Sequence, residues 1–493
     1  MPHSHFLILG LDGLRLDMVT PELTPNLLSL ARHGVFFRQH HAVFPTATRV
    51  NVTSLVTGVN SGTHGIVNNS IFAPGVSPDK PVDLGKYDVV EAADAYYQGA
   101  LLGAPSLGEV LATHGETMVA ISSGTTGSNR LMHHRVKTLG GIGFSAQGLA
   151  PCYPTSEAEA ILARFGPAPA AGTPDQGRLA YITDVFLDHI FPTYQPRVTI
   201  LWFSDPDRTY HYCGIGSRES LEAIRAADAQ LGRIMDWLQQ PAQRARLNLL
   251  VLSDHGHITV RQQVSVREGL AGVGIAAGNG CFGDGNVAVV PGSAGSIHVR
   301  HHDAHLVQRI AAWLQEQPWC GALFTQGKNA VEGIAPGTLA RSLVLNEHPR
   351  AGDIVYVMRT DEARDAHGIV GGCYDDSRLP LGGGTHGGLS QHELHNVCFA
   401  YGPAFQEGGE SLVPSGTVDI LPTLLHLLGY DIPPSIEGRV LFEALAHPAA
   451  APELAVETRT YSAETLTPAG LYRQQLSVTR VGATVYLERG WVE

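Results

Sequence analysis

Four stretches of the chain are apolar at nearly every position rather than at alternate ones: residues 6–11 (FLILGL), 117–121 (TMVAI), 197–203 (RVTILWF) and 247–252 (LNLLVL). A strand with one wet face alternates, so runs apolar throughout predict parallel strands buried on both faces. Helical signals lie between them. Residues 24–34 open on Thr24 and Pro25, a cap and a first-turn proline, and stop at His33 and Gly34. Residues 104–114, 179–190 and 217–238 also predict helices, the last long and amphipathic. Strands alternating with helices predict an α/β fold, a doubly wound, mostly parallel sheet with helices on both faces.

The rhythm breaks twice. Residues 71–97 are dominated by Pro, Gly and Asp and predict a long excursion from the sheet. Between residues 260 and 381, short apolar runs surround a helical segment at 305–316, which predicts a smaller α+β insertion. Residues 396–401 return to the main sheet, and 418–428 form a helix. The expected organisation is a core of residues 1–259 and 382–450, an inserted cap subdomain of residues 260–381, and a C-terminal extension of residues 451–493 with one late strand.

The ends of the buried runs carry the chemistry. Asp12, Asp207 and Asp254 each follow such a run. Parallel strands bring their carboxyl ends to one edge, where α/β folds bind ligands. His211 lies four residues after Asp207, His255 adjoins Asp254, and His386 sits in a glycine-dense loop (residues 382–388). Each cluster alone is more often structural, since Asp at a strand end commonly serves a turn. Together, mixed Asp and His ligands suit zinc or a similar divalent ion. Six such groups exceed one tetrahedral site and match two. Thr48, in residues 44–51 (FPTATRVN) between a strand and a helix, could by itself be an ordinary helix cap. Beside two metals it becomes a candidate nucleophile, because a hydroxyl needs such activation.

Composition narrows the function. The chain has 493 residues and a formal net charge of −13, with 44% hydrophobic and 16% charged residues. This is a folded chain, and its acidity argues against stable nucleic-acid binding, which needs a basic face. A small phosphorylated substrate stays compatible, since metals and local cations reverse the field in one cleft. The six cysteines form no CxxC pair and read as reduced thiols. No apolar run reaches the roughly 18–20 residues of a membrane span, and no signal peptide is visible, so the expectation is a cytoplasmic protein without a membrane partner. Paired histidines (His40–His41, His133–His134, His301–His302) are expected in surface loops. Oligomeric state is open.

These residues resemble the alkaline phosphatase superfamily, and most closely its nucleotide pyrophosphatase/phosphodiesterase branch. The matching stretches are residues 9–13 (LGLDG), 24–26 (TPN), 45–48 (PTAT) with Asn51, 63–69 (THGIVNN), Asp207 with His211, 253–256 (SDHG), 384–387 (GTHG), and 418–423 (VDILPT) with 437–439 (EGR). The resemblance implies an alkaline phosphatase-like core and a hydrolase with two Zn²⁺ per chain, Mn²⁺ being an alternative. By position, Asp12, Thr48, Asp254 and His255 would hold one ion, and Asp207, His211 and His386 the other. Asn69 and the Thr48 amide would stabilise the phosphoryl oxygens, and Thr48 would form a phosphothreonine intermediate. The implied reaction is phosphodiester or nucleotide pyrophosphate hydrolysis. Phosphonate cleavage of the phosphonoacetate hydrolase type, phosphomonoester hydrolysis and, more remotely, an inactive ligand-binding relative are the alternatives. One position departs from the branch: Arg49 stands where it commonly has an aromatic residue. An arginine there could bind phosphate oxygens or turn outward. Tyr210, Arg130 and Lys137 are further candidates for substrate contact.

Overall fold

A computed structural model describes residues 4–447 and 454–493. The expected boundary between residues 450 and 451 lies outside these. The centre is an eight-stranded sheet in the order Gly409–Ser411, Val35–Phe37, Cys398–Tyr401, Leu247–Leu252, His5–Leu11, Val198–Phe203, Met118–Ser122, Ile142–Ser145. His5–Leu11 pairs in parallel with both neighbours, Phe6 facing Val198 on one side and Asn248 on the other. Cys398–Tyr401 runs antiparallel to Leu247–Leu252, so the sheet is mixed but mostly parallel.

The unbroken apolar runs have the predicted cause. Phe6 and Ile8 pack into one hydrophobic core with Ile200, Trp202 and Leu250. Leu7, Leu9 and Leu11 pack into another, on the opposite face, with Leu201, Phe203 and Val251. Successive residues of a strand point to opposite faces, and here both faces are dry. Gly10 is required by this packing: a Cβ there would lie 2.1 Å from the Trp202 ring. That close approach seats the indole so that it reaches Asp12, the first residue beyond the strand.

Several local expectations change. Residues 71–97 contain a helix, Tyr87–Tyr96, and the polar loop after Met118–Ser122 turns into the helix Thr126–Met132. Thr24 does not cap the helix Pro25–His33; its hydroxyl bonds back to Thr20 O. Asp228, from the long helix Arg218–Leu238, accepts from the amides of Asn26 and Leu27 instead. His40, His41, His133 and His134 are buried, contrary to the expected surface placement. Each finds a polar partner: His40 meets Ser415 Oγ, His41 meets Ser415 O, His133 meets Gly140 O, and His134 meets Asp94.

Segment 260–381 contributes to two further sheets. One has six strands, with the helix Ala304–Gln315 packed on it. The other has four, in the order Thr360–Arg364, Val370–Asp375, Ile258–Gln263, Gly384–Thr385. It fixes the glycine-dense loop, since Gly384–Thr385 pairs with Ile258–Gln263. The C-terminal segment holds three antiparallel strands, Val456–Thr467, Gly470–Val481 and Thr484–Val492, where one was expected. Leu476, Val478 and Leu487 from this sheet pack against Phe44 and Phe324. Among the described residues, no helix is long and apolar enough to cross a membrane, and all six cysteines are free.

Candidate active site

Thr48 is the first residue of the helix Thr48–Thr57, one position inside the cap, which is Ala47. Its N–H therefore belongs to the first turn, where no intrahelical acceptor exists. Asn51, one turn on, holds the approach: its side chain accepts from Val43 N at 2.7 Å and donates to Val43 O at 3.0 Å. This clamp fixes where the chain enters the helix, and with it the direction of the Thr48 hydroxyl. Thr48 Oγ1 lies 3.2 Å from Nε2 of His255.

The expected carboxylates and imidazoles converge here. The ligand atoms of Asp207, His211, His257 and His386 lie within 4.8 Å of one another, as do those of Asp12, Asp207 and His255. Nε2 of His255 stands 3.3 Å from Asp254 Oδ2 and 3.6 Å from Asp12 Oδ1. Asp207 Oδ1 faces His211 Nε2 at 3.2 Å and His386 Nε2 at 3.5 Å.

Outer partners orient these groups. His255, His211 and His386 each direct Nδ1 at a carbonyl, of Gly256, Gly384 and Thr46 respectively, at 3.0, 2.8 and 2.8 Å. A carbonyl only accepts, so Nδ1 carries a proton and Nε2 is the nitrogen turned to the cluster, with a lone pair to give a cation when deprotonated. Trp202 Nε1 donates to Asp12 Oδ2 at 3.0 Å, and Gly13 N donates to Asp254 Oδ1 at 3.1 Å. The second oxygens, Asp12 Oδ1 and Asp254 Oδ2, are buried without a hydrogen-bond partner.

The electrostatics is one-sided. Burial, together with the charges of Asp254 and Asp207, raises the Asp12 carboxyl well above its usual range. Burial likewise raises Asp254. For Asp207, burial opposes the charge, but His211 and His257 outweigh it and hold the carboxyl low. Among the described residues, no arginine or lysine pairs with these three carboxylates, and only histidine nitrogens approach them. Buried charge of one sign calls for compensation. Orphaned carboxylate oxygens beside imidazole lone pairs are a donor set that fits divalent cations.

A cavity of about 530 Å³ opens over this cluster. Asp12, Thr48, Arg49, Asn69, Asp207, His211 and His386 line it, while Asp254 and His255 stand behind the lining, fully buried. Asn69 Oδ1 accepts from Arg49 N at 2.9 Å, so the asparagine is tied to the helix turn that carries Thr48. Of the loop that begins at Ser122, the residues Ser123, Gly124 and Thr125 face the cavity.

Three candidate substrate contacts lie elsewhere. Arg130 is buried, bonded to Glu91 and to His133 O. Lys137 pairs with the same Glu91. The helix Thr126–Met132 turns Arg130 away from the cavity that its first residues approach. Tyr210 is fully buried, its ring edge-on to His257 at 5.1 Å; Tyr212 lines the cavity instead. His257, which the sequence reading missed, is fully buried and approaches Asp207 Oδ1 through Nε2 at 2.9 Å. Its signal was present in the spacing: it follows His255 by two residues, on the same side of an extended chain.

Comparison with known proteins decides the lineage. Residues 6–361 match the family model described as type I phosphodiesterase / nucleotide pyrophosphatase. The chain belongs to this family. Similar members include a venom phosphodiesterase of Naja atra, 25% identical over 264 residues, which are 51% of this chain and 26% of that protein. Ectonucleotide pyrophosphatase/phosphodiesterase family member 1 of Rattus norvegicus is 25% identical over 256 residues, 51% of this chain and 24% of its own length. The chain thus spans about a quarter of the length of these relatives. In fold it is similar to murine ectonucleotide pyrophosphatase / phosphodiesterase 5, solved as an inactive variant in complex with AMP. The TM-score is 0.61 at 20% identity, covering 90% of this chain and all of that one. The human counterpart gives a TM-score of 0.62. The resemblance to the phosphodiesterase branch is thereby correct, and so is the alkaline phosphatase-like α/β fold. None of the relatives' names speaks for cytoplasmic placement.

Proposed function

We propose that this family member is a metal-dependent phosphoric ester hydrolase, foremost a phosphodiesterase or nucleotide pyrophosphatase, with Thr48 as its nucleophile. The observation that carries the reading is the convergence of two orphaned carboxylate oxygens and three oriented imidazole nitrogens around the Thr48 hydroxyl. Asp12, Asp254 and His255, with Thr48 Oγ1, would hold one divalent ion, and Asp207, His211 and His386 a second, zinc being the ion this donor set favours and manganese the alternative. When bound, such a pair supplies Lewis-acid charge that favours the Thr48 alkoxide and polarises a phosphoryl group.

The chain's own groups do the rest. The Asn51 clamp aims the Thr48 hydroxyl, which attacks phosphorus in line; the P–O bond to the leaving group breaks as the threonine ester forms. Water then cleaves that ester and regenerates the hydroxyl. Asn69 spends its oxygen on Arg49 N, which leaves its NH2 to donate to a non-bridging phosphoryl oxygen. The Thr48 N–H, unpaired within its helix turn, is the second donor. The AMP in the murine neighbour supports a nucleotidyl substrate.

The test is Thr48→Ala assayed on a chromogenic phosphodiester, with metal content measured alongside. Turnover is expected to fall at least about 1,000-fold, in line with the loss of a covalent nucleophile, while most of the metal remains. Undiminished hydrolysis by that variant would remove the mechanism. The same assay on a monoester and on phosphonoacetate separates the alternatives that share this site.

A further inference from the structure

Arg49 is the residue at which the chain departs from its branch, and it faces the site. It lines the cavity directly after Thr48. Its Nε is buried with no hydrogen-bond partner. Its Nη2 makes one long hydrogen bond, 3.3 Å to Thr125 Oγ1. Among the described residues it forms no ion pair, whereas Arg15, Arg130 and Arg197 each hold a carboxylate. The nearby Asp83 accepts from Gly85 N through Oδ1 at 2.9 Å and makes no ion pair with the guanidinium. The half-buried guanidinium, with Nε unpartnered and one long hydrogen bond, has donors to spare toward the cavity, and its planar fork suits phosphate oxygens bidentately.

The seat is shaped for the side chain. A Cβ on Gly85 would stand 2.2 Å from Arg49 Nη2, so the guanidinium in this position lies directly against the Gly85 backbone. The cavity lining also offers small and hydroxyl groups, Ser123, Gly124, Thr125 and Ser204. Arg208 also lines the cavity; its Nε donates to Gly172 O at 3.0 Å, and it too forms no ion pair among the described residues. The cavity therefore carries two arginines as well as the acidic, metal-fitting cluster.

We infer that Arg49, seated against Gly85 and Thr125, binds an ionised phosphate oxygen carried on the phosphorus that Thr48 attacks or on the phosphate next to it. The site therefore favours phosphate esters with at least one ionised oxygen more than a simple diester. The inference rests on the proposed hydrolytic function and deepens it. Two sources would supply the extra charge: the dianionic phosphoryl group of a monoester, or a neighbouring phosphate in a nucleoside triphosphate. Arg49 is a substrate-binding residue in this account, with no part in proton transfer.

The experiment compares kcat/KM of the metal-loaded wild type, Arg49→Ala and Arg49→Lys on three probes. These are bis(p-nitrophenyl) phosphate, p-nitrophenyl phosphate and ATP, with zinc content and thermal denaturation recorded for each variant. For at least one of the two more highly charged probes, Arg49→Ala is expected to lose about 10- to 100-fold more than it loses on the diester, the range for one charge-assisted hydrogen-bonded contact. The probe that suffers identifies the source of the charge. Arg49→Lys keeps the charge without the fork and should recover part of that loss. Inorganic phosphate should inhibit the wild type more strongly than Arg49→Ala. An equal loss on all three probes, or none, overturns the inference while leaving the hydrolase reading intact. A wild type inactive on every probe overturns the hydrolase reading itself.

Discussion

At the scale of the residue, the site depends on groups that fix other groups. His257 shows this best. It is buried and holds Asp207 Oδ1 at 2.9 Å, and burial lowers its pKa to about 3, so it stays neutral. A neutral imidazole at that oxygen either positions the carboxylate or shares its ion, and both roles strengthen the site of Asp207, His211 and His386. His257→Ala is therefore expected to weaken metal retention at that site about 10- to 100-fold, read by chelator competition, with the Asp12 and Asp254 site less affected. Unchanged retention in the variant would mean that His257 only packs. What the sequence showed at this scale follows from chemistry: Asp12 and Asp254 were visible because apolar runs end abruptly in a carboxylate. Arg130 and Lys137 were misplaced because basic residues near a site look alike in sequence, and only the helix Thr126–Met132 shows that they turn toward Glu91.

At the scale of the element, the C-terminal sheet is joined to the body by a charged contact. His41 Nε2 meets Glu488 Oε2 at 3.1 Å, and His395 Nε2 meets the same oxygen at 3.0 Å. His40, Asp419 and Arg439 stand around the pair. Burial opposes the charge on His41, but Glu488 and the Ser415 carbonyl outweigh it, so the His41 pKa is raised. Burial also opposes ionisation of Glu488, yet the two histidines hold its carboxyl far below the usual range. The signs follow by linkage. The contribution of His41 is complete below its unfolded pKa of about 6.5 and is lost as pH rises through the raised folded value. That of Glu488 is complete above about 4.3 and is lost as pH falls toward the depressed folded value. The stability gap between wild type and Glu488→Gln should be widest between about pH 4.3 and 6.5 and shrink above that. Thermal denaturation of both proteins across pH measures it, and a gap independent of pH would mean that the contact is not ionic. This element was hard to read in sequence. Val456–Thr467 is largely exposed, so it lacks an apolar run, and the partners of His41 lie more than 370 residues away.

At the scale of the whole molecule, the fold gathers one set of groups at one edge. The parallel strands were legible because burial on both faces leaves few polar positions. The six-stranded sheet was only partly legible because its strands are short although both faces are packed, and the C-terminal sheet because its first strand is exposed and polar. The polar floor of the cavity comes from both sides of the long insertion, with His386 held by Thr46 and His211 held by Gly384. The central claim is that this edge binds two divalent ions around Thr48. It is tested most directly by calorimetric titration of zinc into the metal-free protein, in the wild type and in Asp207→Asn. The account predicts two zinc ions per chain in the wild type, with binding at one site sharply weakened in the variant. Binding of one ion or none by the folded wild type, or an Asp207→Asn titration that matches it, would contradict the account.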